Sequence, residues 1–479
     1  MVRRRPYLFF ALAGVSLLMF SIDSTVVAVA LPNMQADLQT SLVWLGWTLT
    51  GYMLTFTAVM PLAGKLSESF GRMRLFLVCV FLFTLGSLLC GLAPNIYVLI
   101  GCRVVQALGG GGFLPIAAGI VAREFPTNRD RMIGLFSSIF PLGGIIGPNL
   151  GGFIVERWSW REVFLINVPI GIVVLVVLLR QATPAEPTTE RRIDVPGALL
   201  FAAAITSLLA GLSLLGNDPG FIRSPAFWVL IVASGVLMVL FGRQELHTPE
   251  PVLDLRLVFR HPFLAANAYN FIFGASVFGF FTFIPYYAVL QYGMSPAESG
   301  AILTPRSIAM TATSTIVSIY ILRLGYRWPM LAGMAFVVAT MLLLSQGWTS
   351  ITIGGLFIGT FPMLAAEVAL GGIGMGMAAP SSSNALLDLL PERAAVVTGI
   401  RGVFRSTGGV IGTAFIVLAL ELSPDKAAGM RTIYAVLAVL LLTTVPLTFL
   451  IPDTARARRL AIGRAGSAPV PKLERSATP

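Results

Sequence analysis

Long apolar runs separated by short polar breaks dominate the chain. A helix that crosses a bilayer needs about 20 mostly apolar residues, and about fourteen stretches meet that requirement. They lie near 7–32, 44–63, 75–94, 97–121, 132–155, 163–180, 196–215, 225–242, 263–290, 298–321, 328–346, 359–383, 395–420 and 431–451. Residues 346–361 mix Thr, Gly and Ile and read as a loop, a helix extension or both. The first stretch follows Arg3, Arg4 and Arg5 and ends near Ala28-Val29-Ala30, the form of a cleavable leader. Its run of about 25 residues exceeds the ~7–15 of a leader's apolar region, and it contains Asp23. It is therefore read as a span. Two polar segments, Gln181–Asp194 and Arg243–Pro262, divide the series. The predicted layout is a six-helix bundle over 1–180, a central segment over 181–262 with two extra helices, a second six-helix bundle over 263–455, and a disordered tail over 456–479.

Composition sharpens this picture. The 479 residues are 56% hydrophobic and only 11% charged, with a mean hydropathy of +0.84. A soluble protein carries roughly 25% charged residues, so a soluble enzyme and a disordered chain are both excluded. An all-α polytopic membrane protein remains. Cys79, Cys90 and Cys102 lie in apolar runs, and the two histidines, His247 and His261, share one polar segment without acids or cysteines around them. Neither a metal site nor a cofactor is expected. The net charge of +11 is absorbed by its distribution. With alternating spans, most Arg and Lys, among them Arg72, Arg74, Arg129, Arg131, Arg191, Arg192, Arg256 and Arg260, fall on the side of both termini. That bias places the termini in the cytoplasm and removes the case for nucleic acid.

Charges inside apolar runs carry the candidate chemistry, because a charge at the bilayer centre costs about 2.5–3.5 kcal/mol on insertion scales. Asp23 in helix 1, Arg103 in helix 4 and Glu367 in helix 12 lie at similar depth, roughly 9–13 Å from the outer ends at 1.5 Å per residue. Each faces a cavity or a partner; for Asp23 a purely structural ion pair is the alternative. Arg306 follows Pro305 near an outer helix end, where it can reach the interface. Arg405 precedes Gly408, Gly409 and Gly412 and reads as either a gating or a packing residue. Helix 5 carries Gly143, Gly147 and Gly151 at intervals of four, with Pro148 and Gly152. That spacing lets another backbone approach one face, and Pro148 permits a kink. Gly64 to Arg74 is read as a cytoplasmic loop in which Gly64 and Gly71 allow tight turns and Glu68 can join Arg72 in a charge network. Helix 9 holds Phe271, Phe273, Phe278, Phe280, Phe281, Phe283, Tyr286 and Tyr287, a set suited to lining a pocket for apolar or aromatic cargo and equally to lipid contact and packing. Ala107-Leu108-Gly109-Gly110 recurs as Ala369-Leu370-Gly371-Gly372, in the fourth helix of each half, which suggests a parallel repeat.

Together these residues resemble the Major Facilitator Superfamily in its fourteen-helix drug:proton antiporter branch. Asp23 to Pro32 resembles the helix-1 signature, 64–74 the cytoplasmic loop motif, Arg103 with Gln106 and the following glycines the helix-4 motif, and Gly143 to Gly152 the helix-5 antiporter motif. Trp160-Arg161 through Phe164, Asn167, Pro169 and Gly171 match that branch as well. The chain departs from the pattern at Glu68, where Asp is usual, at Ala107, where Gly is usual, and at Leu322, the acidic position of the second loop copy near Ile321–Trp328.

The resemblance implies a multi-pass protein of the cell membrane that exports small hydrophobic, amphipathic or cationic molecules against inward proton flow. In that frame Asp23 is the proton-sensitive carboxylate, Arg103 its partner, and Glu68 with Arg72 part of a cytoplasmic gate. Export of a lipid or glycolipid by the same fold is the alternative. A membrane-embedded enzyme lacks a nucleophile with a base beside it, and a non-transporting sensor has no need of charges at matching depth in several helices.

Overall fold

The computed structural model describes residues 6–125, 132, 136, 139–181, 194–249, 251, 253, 255–353, 356–390 and 394–454. The tail expected over 456–479 lies outside them. The first half comprises α1 (Pro6–Leu38), α2 (Leu42–Phe70), α3 (Arg72–Gly91), α4 (Ile96–Glu124), α5 (Ile139–Arg157), the short α6 (Glu162–Leu165) and α7 (Asn167–Gln181). Then come α8 (Val195–Asn217) and α9 (Pro225–His247), followed by the short α10 (Leu255–Val258). The second half holds α11 (Phe263–Tyr292), the short α12 (Pro296–Ala301), α13 (Leu303–Leu324), α14 (Arg327–Gln346), α15 (Thr360–Leu389), α16 (Ala394–Glu421), α17 (Lys426–Leu442) and α18 (Thr444–Leu450). Among the described residues, twelve helices are long and apolar enough to cross a membrane. The chain is an all-α polytopic membrane protein with one small exception. Residues 346–361 are neither a plain loop nor a helix extension: β1 (Ile351–Ile353) pairs antiparallel with β2 (Leu356–Ile358), Ile351 opposite Ile358.

Local sequence sets the helix starts. Asn95 Oδ1 accepts from Val98 N–H at 3.0 Å at the head of α4. Asp194 caps α8 through Gly197 N–H at 3.0 Å, and Ser295 forms a capping box with Glu298 at α12. Such caps satisfy N–H groups that the first helical turn leaves unpaired. One expectation is corrected here. The residues from Gly64 to Phe70 are not a loop but the last turns of α2. Only Gly71, at φ 92°, breaks the chain between α2 and α3, a left-handed backbone that glycine adopts without strain. Gly325, at φ 78°, makes the same joint between α13 and α14.

That shared joint belongs to a repeated packing plan. In the first half α1 packs on α5, and α4 on α2 and α3; in the second α11 packs on α16, and α15 on α13 and α14. Across the halves, α2 meets α16 while α5 meets α12 and α13. The second and fifth long helices of one half thus face the fifth and second of the other, the arrangement of a parallel duplication. The extra helix α8 leans on α2 and α16, whereas α9 packs mainly on α8. Outward side chains of α9 such as Trp228, Val229, Val232 and Val239 are more than half exposed. Leaving such side chains in water rather than burying them costs roughly 1.5–3 kcal/mol each, and lipid removes that cost.

The apolar core is divided along the bundle. One cluster, including Val26, Ala30, Met34 and Leu45, is continuous with Tyr286, Ile302, Val417 and Leu420 of the second half. A second cluster, with Phe9, Leu12, Phe76, Phe113 and Phe125, draws only on the first half. The two halves are therefore joined at the ends of α1 and α2 that face each other across residues 30–46.

Candidate functional site

Asp23 interrupts an apolar stretch of α1 and is fully buried. Its carboxylate is met by three donors from two other helices. Arg103 Nη1 of α4 reaches Oδ2 at 2.7 Å, and Gln106 Nε2, one turn along, reaches Oδ1 at 2.8 Å. Asn167 Nδ2, at the head of α7, lies 3.4 Å from the same oxygen. Arg103 also donates to Gln106 Oε1 at 2.6 Å and through Nε to the Thr48 carbonyl at 3.3 Å. Gln106 donates further to Ser87 Oγ at 2.8 Å. The guanidinium carbon sits 3.7 Å from the centroid of the Tyr52 ring. Arg103 is 1% exposed and Gln106 0%. In so dry a setting charge-assisted hydrogen bonds are strong, and removing one member strands the others.

The sequence pattern singled out Asp23 and Arg103, which the structure brings into contact. Gln106 and Asn167 were visible only through the family resemblance. Ser87, Thr48 and Tyr52 carried no signal, since each is an ordinary residue of an apolar helix. Glu367 is apart from this network, on α15. It is 7% exposed, and its backbone carbonyl accepts from Thr340 Oγ1 at 3.1 Å.

The glycines of α5 divide between two neighbours. A side chain at Gly143, Gly147 or Gly151 would run into Ser21, Thr25 and Val26 of α1 respectively. These contacts begin two residues from Asp23, so the helix carrying the carboxylate is seated directly on α5. Gly152 instead faces Pro296 and Ala297 of the second half, and Gly300 lies against the Pro148 carbonyl. Pro148 has no N–H to offer the Gly144 carbonyl. Ser307 of α13 supplies that bond at 3.0 Å, and Asn149 Nδ2 donates to Thr304 Oγ1 at 2.5 Å. Tyr286 of α11 completes the junction, donating to Gln35 Oε1 of α1 at 3.0 Å. Among the described residues, these bonds join the two halves through polar side chains.

At the α2–α3 joint, Arg72 Nη1 donates to the Gly119 carbonyl of α4 at 2.7 Å. The side chains at Gly64 and Glu68 lie outside the described residues. In the second half, Leu322 stands at the acidic position, and the acid comes from elsewhere. Asp453, beyond α18, accepts from the backbone N–H of Tyr326 at 3.1 Å and of Arg327 at 3.3 Å. Asp388 accepts from the Tyr326 hydroxyl.

Helix α11 decides between the alternatives left open for its aromatic set. Phe273, Phe280, Phe281, Phe283, Tyr286 and Tyr287 are buried, at most 5% exposed, so this set does not face lipid. Nor does Arg306 reach an outer interface. It is half-buried on α13, its guanidinium carbon 4.7 Å from the Phe281 centroid. Arg405 lies over Phe278 and Phe273 at 5.2 and 5.6 Å. No group of His, Cys, Asp or Glu able to hold a metal ion occurs among the described residues.

Known proteins place this architecture. The family model described as Major Facilitator Superfamily matches residues 13–344 and 267–477. The chain is 32% identical to the multidrug transporter protein MdtP of Bacillus subtilis, over 84% of this chain and 73% of that one. It is likewise 32% identical to a multidrug resistance protein B homologue of Mycobacterium tuberculosis, covering 85% and 75%. A methylenomycin A resistance protein of Streptomyces coelicolor is 31% identical, covering 85% and 84%. A solved bacterial homologue of the human lysosomal transporter Spinster, in an inward-facing and unoccupied conformation, superposes with a TM-score of 0.64 at 14% identity, covering 96% and 99%. A family match along almost the whole length, with relatives that are transporters and not enzymes, settles the class: the chain belongs to the Major Facilitator Superfamily.

Proposed function

We propose that this protein exports small hydrophobic or cationic molecules from the cell in exchange for protons, by alternating access, with fourteen spans and both termini in the cytoplasm. The multidrug names of its relatives support the cargo class. The two columns beyond the twelve apolar spans are α5 and α12–α13, which the contacts between the halves occupy. Two six-helix bundles over 1–180 and 263–455, with 181–262 between them, accord with the repeated helix pairing.

The observation that carries the reading is the buried set of Asp23, Arg103 and Gln106. A carboxylate with no access to water in one state, held by a cation and two amides, is a group whose protonation changes the packing of three helices. Protonation removes the negative charge that draws Arg103 of α4 toward α1. It thereby shifts the bias between states, which is what coupling requires. The α5 glycines let α1 slide on a smooth face as this happens. Arg72 on the Gly119 carbonyl, together with Glu68, forms the cytoplasmic gate, and Arg405 and Glu367 act in the second half. The junction formed by Gln35–Tyr286, Asn149–Thr304 and Ser307–Gly144 closes the outer end.

The test is export of rhodamine 6G from proteoliposomes with an imposed pH gradient. Wild type should move the dye against its gradient in proportion to the pH difference, and Asp23→Asn should not. Gradient-independent export by wild type would remove proton antiport.

A further inference from the structure

The two halves treat the arginines within their helices differently: Arg103 is buried, whereas Arg306, Arg401 and Arg405 are half-buried. Arg103 spends its donors on Asp23, Gln106 and the Thr48 carbonyl. In the second half Arg306, Arg401 and Arg405 have no carboxylate partner among the described residues. Arg401 reaches only neutral groups, the Ala379 carbonyl at 3.2 Å and Ser382 Oγ at 3.4 Å. The Nε atoms of Arg306, Arg401 and Arg405 are buried without a hydrogen-bond partner. So is the hydroxyl of Tyr269, a fully buried side chain whose ring stacks on Phe273, over which Arg405 also lies.

Arg401 and Arg405 lie on one face of α16, about 10 and 16 Å from its start at Ala394 at 1.5 Å per residue. At that depth an uncompensated cation is unfavourable, and it is retained where something pairs with it. The surroundings indicate what. The planar guanidinium fork matches carboxylate and phosphate oxygens. Beside it stand aromatic faces: Tyr269 stacks on Phe273 with centroids 5.8 Å apart, and Phe278 lies 5.2 Å from the Arg405 guanidinium carbon. A charged oxygen group at the arginines and an apolar ring system along α11 fill both needs at once.

We infer that Arg401, Arg405 and the Tyr269 hydroxyl form a binding site for the carboxylate or phosphate of an amphipathic organic anion, whose apolar body lies along Phe273 and Phe278. This rests on the export reading above and adds anionic amphiphiles to its cargo, held at a place of their own in the second half. A cationic cargo meets like charge here.

The probes are fluorescein, an aromatic dianion, its uncharged diacetate, and rhodamine 6G, a cation of similar ring system. Binding is read by fluorescence anisotropy or competition on the purified full chain in phosphatidylcholine nanodiscs. Fluorescein should bind wild type at least tenfold more tightly than the other two, about 1.4 kcal/mol. That advantage should vanish in R401Q and R405Q and largely return in R405K. Equal binding of fluorescein and its diacetate to wild type overturns the proposal without any variant. Full affinity for fluorescein in both glutamine variants overturns it as well. Adding phosphatidylglycerol to the nanodiscs separates the sources of the anion: competition assigns the site to a lipid headgroup, and none assigns it to a free solute. Export separates the two readings. Arginine-dependent fluorescein binding with no pH-driven movement of any dye leaves the anion site standing and removes antiport. Movement of rhodamine 6G with no fluorescein binding does the reverse.

Discussion

Replacing Asp23 by asparagine keeps the shape of the side chain and removes its charge. The expected size of the effect follows from what is left behind. Arg103, 1% exposed, loses the carboxylate 2.7 Å away and keeps Gln106 Oε1 and the Thr48 carbonyl. Its stacking on Tyr52 survives, a contact worth up to about 2 kcal/mol when desolvated. Gln106 and Asn167 already share Oδ1, so the single oxygen of asparagine serves either those amides or Arg103. Removing one partner of a buried ion pair costs about 3–5 kcal/mol, and asparagine's remaining carbonyl puts Asp23→Asn near about 3 kcal/mol. Arg103→Gln should cost a similar amount, because the carboxylate is then buried without its cation. The double variant removes both charges, and its loss should stay within about 2 kcal/mol of wild type. The coupling energy between the two positions is then at least about 3 kcal/mol. Unfolding free energies in mixed micelles give the stability terms, and pH-driven dye export from proteoliposomes gives function. A merely structural pair predicts that the double variant exports as wild type does. The coupling role predicts that it folds and does not export. Additive stability losses would refute the interaction itself, and normal export by the double variant would refute its part in transport.

Gly147→Val should abolish export and cost roughly 1–3 kcal/mol by overpacking α5 against Thr25, whereas Gly144→Ala, which meets nothing within 4 Å, should leave thermal stability within about 0.5 kcal/mol. Cysteines at Gly152 and Ala297, across the α5–α12 contact, should cross-link under oxidation and stop export until reduced; export at the full rate with the link formed would contradict closure there. Asp453→Ala should expose the head of α14 and cost about 1 kcal/mol, the usual loss of a helix cap, measurable as a lower unfolding temperature. With cysteines introduced singly at Arg192 and Asp425, an impermeant thiol reagent on intact cells should reach only position 425; labelling of position 192 alone would invert the topology.

The layout of long helices was legible because every apolar run stands out against sparse charge. So were Asp23 and Arg103, since few charged residues interrupt those runs. What the sequence hid is informative. Gly64 to Phe70 looked like a loop because it is polar and holds three small residues, Gly64, Ser67 and Ser69; it stays helical because intrahelical bonds continue until Gly71 turns the chain. The pairing of 351–353 with 356–358 was invisible because three-residue strands have no period to detect. Asp453 replaces an acid missing from its expected place by approaching from more than a hundred residues away, which no local pattern encodes. The same holds for Asn149–Thr304 and Tyr286–Gln35, where both partners are common polar residues. Of the second-half arginines, Arg306 and Arg405 were visible one at a time and Arg401 carried no signal. That Arg401 and Arg405 lack an acid could be known only once every neighbouring helix was in place.

The central claim is that Asp23 carries the proton exchanged for cargo. Purified protein in weakly buffered detergent solution, mixed with saturating rhodamine 6G and followed with a pH indicator, tests it most directly. The account predicts proton release on cargo binding by wild type and none by Asp23→Asn that still binds the dye. Equal release by the two proteins, with the same dependence on pH, would contradict it and move the coupling site to Glu367.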